Sequence, residues 1–176
     1  MNLGLPQSLI LEFPDVIAAE RPTVSNQVIK NPHWLAGFVD GDGCFSISVT
    51  ADSAYKLGRK VYWTFSIKQH NRDAVLLQSF VNFLGCGTVF VSKKVDACNF
   101  AVRHFGDVSE KVVPFFVKYP LRSAKANDFK DFIKAVDLIK AKAHLTEQGI
   151  EEINKIRLGM NSLRIPPGGK KNSWHE

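Results

Sequence analysis

Two carboxylates, Asp40 and Asp42, close an apolar run in the stretch WLAGFVDGDGCFSISVT, residues 34–50, with Gly37, Gly41 and Gly43 set around them. Acids at the C-terminal end of a helix oppose the helix dipole, so the pair brings no local benefit to folding. Three readings are open. An EF-hand calcium loop is the first, and its spacing is wrong. With Asp40 and Asp42 at loop positions 3 and 5, Val49 stands at position 12; with the loop started at Asp40, Ala51 stands there, where a glutamate is needed. An ordinary Asp-Gly helix end is the second. A divalent-cation site is the third: a carboxylate beside a backbone carbonyl offers the hard oxygens that suit Mg2+, which keeps several waters. The glycines bear on packing. Gly37 and Gly41 lie one turn apart on one helix face, a spacing of small residues that lets two helix backbones come close. A second copy of the helix would bring a second Asp42 to the same place, where shared cations offset the repulsion of like charges.

Other chemistries have no foothold. The histidines, His33, His70, His104, His144 and His175, are scattered and form no HxH or HExxH pair, and no Ser-His-Asp spacing stands out. The three cysteines, Cys44, Cys86 and Cys98, are odd in number and lack a C-x-x-C pair, which argues against a disulfide framework or a thiolate zinc site.

The elements that must position the acids follow from punctuation and period. LPQSLILEF suits a short helix, and PDVIAAERPTVSNQV reads as an extended connector. Asn31-Pro32 is a helix start, with Asn as N-cap and Pro at the first helical position. CFSISVTA and KVYWTFSIKQ alternate as half-buried strands around the loop DSAYKLGR. NRDAVLLQSFVNFLG has helical spacing and a C-terminal Gly85; GTVFVSKKV and NFAVRHF are two more strands. Asp107 is placed to start a short helix, Ser123 to cap a long amphipathic one, and Thr146 to start the last. The order αββαββα with C-terminal helices predicts an α+β fold, one antiparallel sheet with helices on one face. The other face then carries Ser46, Ser48, Thr50, Lys60, Tyr62, Thr64, Ser66, Lys68, Ser92, Lys94, Asn99 and Arg103, polar positions without a single acid. A solvated face would mix in Asp and Glu; this one suits a nucleic-acid groove.

Composition agrees. The chain has 176 residues, enough for one domain with a sizeable core, and 23 Lys and Arg against 17 Asp and Glu give a net charge of +6, pointing toward a polyanionic partner. No apolar run approaches the roughly 20 residues that span a bilayer, so no membrane partner is expected, and MNLGLPQSLILEFPD lacks the basic region of a signal or transit peptide.

WLAGFVDGDGCFSI resembles the signature of the LAGLIDADG homing endonucleases. FSIKQHNRDAVLLQSFVNFLGCGTV resembles the family's second strand and helix, PFFVKYPLRSAKANDFKDF the segment leading to its basic catalytic residue, and HLTEQGIEEINKIRLGMNSLR a common C-terminal helix; together they cover roughly residues 13–164. The resemblance implies the LAGLIDADG fold with a saddle-shaped sheet, and a site-specific double-strand DNA endonuclease. Such an enzyme hydrolyses phosphodiester bonds at a long, near-palindromic target with metal-bound water as nucleophile. It implies metal ligation by Asp42 and the Gly41 carbonyl, with Mg2+ as cofactor, Mn2+ as a substitute and Ca2+ supporting binding without cleavage. Asp40 is implied to serve the helix pair, and Gln69 to orient waters near the cleavage centre. Lys125 is the favoured basic residue, with Arg122 beside it able to stabilise charge but not to act as a base. The outward sheet-face residues named above are implied to be DNA-binding residues. One motif implies a homodimer through the Pro32–Asp42 helix, with Leu35, Gly37, Phe38 and Gly41 at the interface. MNLGLPQSL echoes GMNSLRIPP, and EFPDVIAAERPTV resembles the connector of two-motif members, so the chain resembles the second half of one. The expected layout is an N-terminal extension or connector at 1–31, the endonuclease domain at 32–164 and a flexible tail at 165–176. Alternatives on the same fold are a non-cleaving RNA-binding intron maturase and an isolated half inactive alone. Family members are often intron-encoded, which implies an intracellular protein of a mitochondrion or chloroplast.

Overall fold

The computed structural model of the chain describes residues 6–16 and 27–164; most of the expected connector and the tail from 165 onward lie outside the described residues. α1 (Gln7–Glu12) is short and buries none of its residues. α2 (Pro32–Asp42) starts as its sequence dictates: Asn31 stays extended, and its Oδ1 accepts from the His33 amide at 2.8 Å, while Pro32 occupies the first helical position, where an N–H has no partner in any case. The helix passes into β1 (Gly43–Ala51) with no intervening loop. A Cβ on Gly43 would stand 2.5 Å from the Val39 side chain, so this direct passage depends on glycine. The backbone of Asp42 is thereby fixed at the junction of helix and strand.

β1 pairs antiparallel with β2 (Arg59–His70) from Gly43↔Ile67 to Ala51↔Arg59. α3 (Ala74–Leu84) follows β2 and ends on Gly85 in the left-handed region (φ 64°), the terminator its sequence position announces. β3 (Thr88–Val91) and β4 (Ala97–Val102) form a second hairpin, and β4 pairs with β2, giving the order β1-β2-β4-β3. The next helical segment begins at Phe105 (α4, Phe105–Asp107), two residues before the expected Asp107, with His104 at its N-cap. Asp107 instead lies in the first turn and pairs with Lys111 at 2.7 Å. A widened π turn, Val108–Val112, leads into α5 (Val113–Lys118); Pro114 lies just beyond it and lacks the N–H that would continue a regular ladder. In α6 (Lys125–Lys140) Ala124, not Ser123, holds the N-cap position; the Ser123 hydroxyl still accepts from the Lys125 amide at 3.2 Å. α7 (Glu147–Leu158) starts as expected, Thr146 Oγ1 accepting from the Gly149 amide at 3.1 Å.

The core lies between one sheet face and the helices. Phe45 stacks on Phe65 with ring centroids 5.0 Å apart, and Phe116, Phe129 and Phe132 close around Phe45 at 5.4, 5.0 and 5.4 Å. Phe45, Phe65, Phe100, Phe116 and Phe132 are at most 1% exposed. Fully burying such a ring stabilises by roughly 1.5–3 kcal/mol. Because these rings alternate with Ser46, Thr64 and Ser66 on the strands, the packing that buries one face turns the polar set outward. No helix among the described residues is long and apolar enough to cross a membrane.

Candidate metal and nucleic-acid site

The two acids at the end of α2 part company in space. Asp40 faces its own chain: its carboxylate accepts from the Arg122 amide at 2.6 Å, the Ser123 amide at 3.1 Å and the Ser123 hydroxyl at 2.7 Å. Burial alone would raise its carboxyl, but these three bonds and the charge of Lys125 outweigh it and hold Asp40 below the ordinary carboxylate value. All these bonds join α2 to the segment that opens α6, which gives Asp40 a structural role within the chain. Asp42, two residues on, is exposed and makes no hydrogen bond or ion pair among the described residues.

The Asp40 clamp sets up the next contact. With residues 122 and 123 held, α6 starts at Lys125, whose Nζ donates to the Gly41 carbonyl at 3.0 Å. A positive charge therefore stands at the carbonyl that the family resemblance makes a ligand. Arg122 is exposed and enters the junction through its amide. Gln69 lies two residues beyond Ile67, the partner of Gly43, at the same end of the sheet as the α2 terminus. Its register opposite Cys98 puts it on the helix-covered side rather than among the outward-facing residues; it is half-buried and its side chain makes no hydrogen bond among the described residues.

The oxygens available here are of the kind Mg2+ takes, an unpaired carboxylate and a carbonyl, but one chain provides only half a shell. Among the described residues no cluster of three His, Cys, Asp or Glu side chains forms a metal cage. Cys44 lies two residues from Asp42, yet burial pushes its thiol up, the Lys125 charge opposes this in part and Asp128 adds to it, so no ready thiolate competes with the carboxylate. The donor set fits a hard cation completed by ligands from outside the chain.

Those ligands have a way in. An added Cβ on Gly37 or Gly41 would meet nothing within 4 Å, so the glycine face of α2 is open. Trp34, 46% exposed, stacks on Phe38 at 5.3 Å and extends this face. Leu35, expected at the interface, is fully buried and belongs to the core. Trp34 takes its place: positions 34, 37, 38 and 41 form one face at i, i+3, i+4, i+7 spacing, and the burial of Leu35 shows that the helix is turned with this face outward.

The outward sheet face borders this end. Ser46↔Thr64, Ser48↔Tyr62, Thr50↔Lys60 and Lys68↔Asn99 are direct cross-strand pairs, so the expected residues of β1, β2 and β4 share one surface. Lys60 Nζ lies 5.2 Å from the Tyr55 ring centroid and 4.7 Å from that of Tyr62, which fixes an otherwise mobile ammonium. Arg103 follows the end of β4 and is exposed. Two expectations change at the β3–β4 turn. Lys94 lies in that turn, beyond the strand, and the Ser92 hydroxyl accepts from the amides of Lys94 and Val95 at 3.2 and 3.3 Å, so Ser92 shapes the turn. Phe90, paired with Asn99, is the face residue that the polar inventory missed.

Comparison with known proteins agrees with this geometry. The family profile described as LAGLIDADG endonuclease matches residues 35–136. Probable intron-encoded endonuclease 2 of Neurospora crassa is 35% identical, over 94% of this chain and 37% of its own length. The crystal structure of the I-SmaMI LAGLIDADG homing endonuclease bound to cleaved DNA matches with a TM-score of 0.88 and 35% identity, over 94% of this chain and 55% of that one. The I-LtrWI LAGLIDADG homing endonuclease bound to target DNA matches with a TM-score of 0.86 and 41% identity, again over 94% and 55%. The chain thus spans little more than a third of the curated relative and about half of each solved chain. With the acid-bearing helix, the four-stranded antiparallel sheet and the profile match all in agreement, the chain belongs to the LAGLIDADG endonuclease family.

Proposed function

We propose that this domain is one half of a divalent-metal-dependent, site-specific double-strand DNA endonuclease. The observation that carries the reading is the unpaired Asp42, held where an open glycine-faced helix meets a polar, acid-free sheet surface. The sheet lies along the major groove, where Ser48, Thr50, Tyr62, Thr64, Ser66 and Asn99 offer hydrogen bonds to base edges, and Lys60, Lys68 and Arg103 take phosphates. A second LAGLIDADG helix seats on Trp34, Gly37, Phe38 and Gly41 and brings its own acid next to Asp42. Asp42 and the Gly41 carbonyl would hold a divalent cation, whose chemistry there would be to offset the negative charge that builds on the phosphodiester oxygens. Asp40 keeps the start of α6 in place, and Lys125 presents an ammonium to the developing phosphorane charge. Arg122 adds charge from the same segment, and Gln69 orients water at the sheet end.

The second helix comes from another copy of the chain, which makes the target near-palindromic. The 55% coverage of the matched structures supports a second reading, in which the mate is another domain of a longer polypeptide. The relative's description as intron-encoded supports action in a mitochondrion or chloroplast. Incubation with a random-insert plasmid library and Mg2+, followed by sequencing of cut ends, tests the function. Wild type is expected to cut a defined sequence and Asp42→Asn to lose about 10²–10³-fold in rate, the size of effect seen when a charge-stabilising group leaves a site. Equal cutting by both proteins would overturn the role of Asp42; symmetric half-sites identify the mate as a second copy.

A further inference from the structure

We propose that Phe90 reads thymine, through contact of its ring with the 5-methyl group in the major groove, and is a specificity-determining residue of the sheet face. The inference rests on the DNA-docking reading above.

Phe90 is 71% exposed, more than any other Phe, Tyr or Trp among the described residues, and it makes no ring contact with another aromatic there. The fold therefore does not use it as core. The register fixes where it stands: Phe90↔Asn99 and Asn99↔Lys68 are direct partners, so the ring lies in a cross-strand row with an amide and an ammonium on the outward face. Two shallow recesses flank it. One is lined by Ser66, Lys68, Ser92 and Val95, the other by Thr88, Asn99, Ala101 and Arg103. The small side chains of Ala97 and Ala101 form part of their lining and leave the ring standing above its surroundings.

An isolated ring among hydrogen-bonding and cationic groups is matched to a surface that is polar and anionic with scattered apolar points. Duplex DNA is such a surface, and the apolar feature of its major groove is the thymine methyl, the group that distinguishes T·A from the other pairs. Charge favours the same occupant: residues 88–103 carry Lys93, Lys94 and Arg103 against a single acid, Asp96 in the turn. A protein partner would call for a contiguous apolar patch, whereas the neighbours of Phe90 in its own row are Asn99 and Lys68. Val95, 60% exposed on the edge of one recess, supplies a second apolar contact within the same short reach.

The test begins with selection of bound duplexes from a random library by the full chain, as wild type and as Phe90→Ala. One or two positions of each half-site are expected to prefer thymine with wild type and to lose that preference with Phe90→Ala, the other positions keeping theirs. The selected duplex is then remade with deoxyuridine at those positions, which removes only the methyl. Wild type is expected to weaken about four-fold per methyl, the burial of one methylene-sized group, and Phe90→Ala by less than two-fold. Unchanged sequence preferences, or equal weakening of both proteins by deoxyuridine, would overturn the assignment while leaving DNA docking intact. Failure of wild type to retain any sequence would instead overturn the DNA-docking reading and this inference with it. Because Phe90 is exposed, the variant is expected to melt within a degree or two of wild type, which separates lost readout from lost fold.

Discussion

Two acids two residues apart in one motif have opposite employment. Asp40 is satisfied by Arg122 and Ser123, and Asp42 by nothing among the described residues. This predicts a separation of effects. Asp40→Asn retains one acceptor oxygen but loses the charge that strengthens the three bonds, and is expected to lower stability by about 1–2 kcal/mol in a urea melt. Asp42→Asn, on an exposed side chain, is expected to stay within about 0.5 kcal/mol of wild type. The sign with pH follows from the direction of the shift. The Asp40 carboxyl is below its ordinary 3.8 in the folded chain, so its stabilisation is complete above that value and is lost as pH falls from 3.8 through the lowered one. Asp131 behaves alike: burial raises its carboxyl, but the hydrogen bonds and charges of Lys134 and Arg164 prevail and lower it. Acid melts of Asp40→Asn and Asp131→Asn are therefore expected to differ from wild type above pH 3.8 and to converge on it as the pH falls below that value and through the lowered folded ones, and a difference that does not shrink with falling pH would refute the linkage.

At the scale of elements, α2 is built with two working faces. Leu35, Ala36 and Val39 bind it to the sheet, and the opposite side keeps Gly37 and Gly41 bare. Glycine within a helix costs roughly 0.5–1 kcal/mol relative to alanine, a cost with no return inside this chain. Gly37→Leu is accordingly expected to hold or raise the melting temperature while abolishing helix pairing. Sedimentation at micromolar protein with target DNA checks this, and an unchanged assembly would show that α2 is not the seam. Much at this scale was legible in the sequence: Asn31, Pro32, Gly85 and Thr146 act on backbone groups within a few residues, and the ends of α2, α3 and α7 form as expected. What was not legible is long-range or rotational. The bonds from Asp40 cross 82 and 83 residues of sequence. The choice between Trp34 and Leu35 depends on which way the helix is turned against Phe80, which contacts Trp34 and Phe38 at 6.3 and 5.4 Å. The end of β3 at Val91 was not legible either, because the alternation of GTVFVSKKV runs on past it into the turn.

For the whole molecule the decisive property is where charge is absent. A net charge of +6 is modest, but the outward sheet positions carry no acid, so nothing on that face offsets Lys60, Lys68 and Arg103. Affinity for DNA is expected to fall with salt as a straight line on logarithmic axes, with a slope near −0.9 per phosphate contacted, and Arg103→Ala is expected to reduce that slope by about one. A slope unchanged by the variant would remove Arg103 from the phosphate contacts.

The order β1-β2-β4-β3 makes the outward surface a junction of two hairpins, each closed by its own turn, at residues 52–58 and 92–96. They meet along the six residues Phe65 to His70 of β2. Each hairpin is thus a separately replaceable unit: the first carries Ser48, Thr50, Lys60 and Tyr62, the second Phe90 and Asn99. Changes in one leave the backbone pairing of the other untouched. On the proposed DNA-docking reading, this architecture would let the contacts at one end of a target be exchanged while those at the other end are kept, a modularity within a single small sheet.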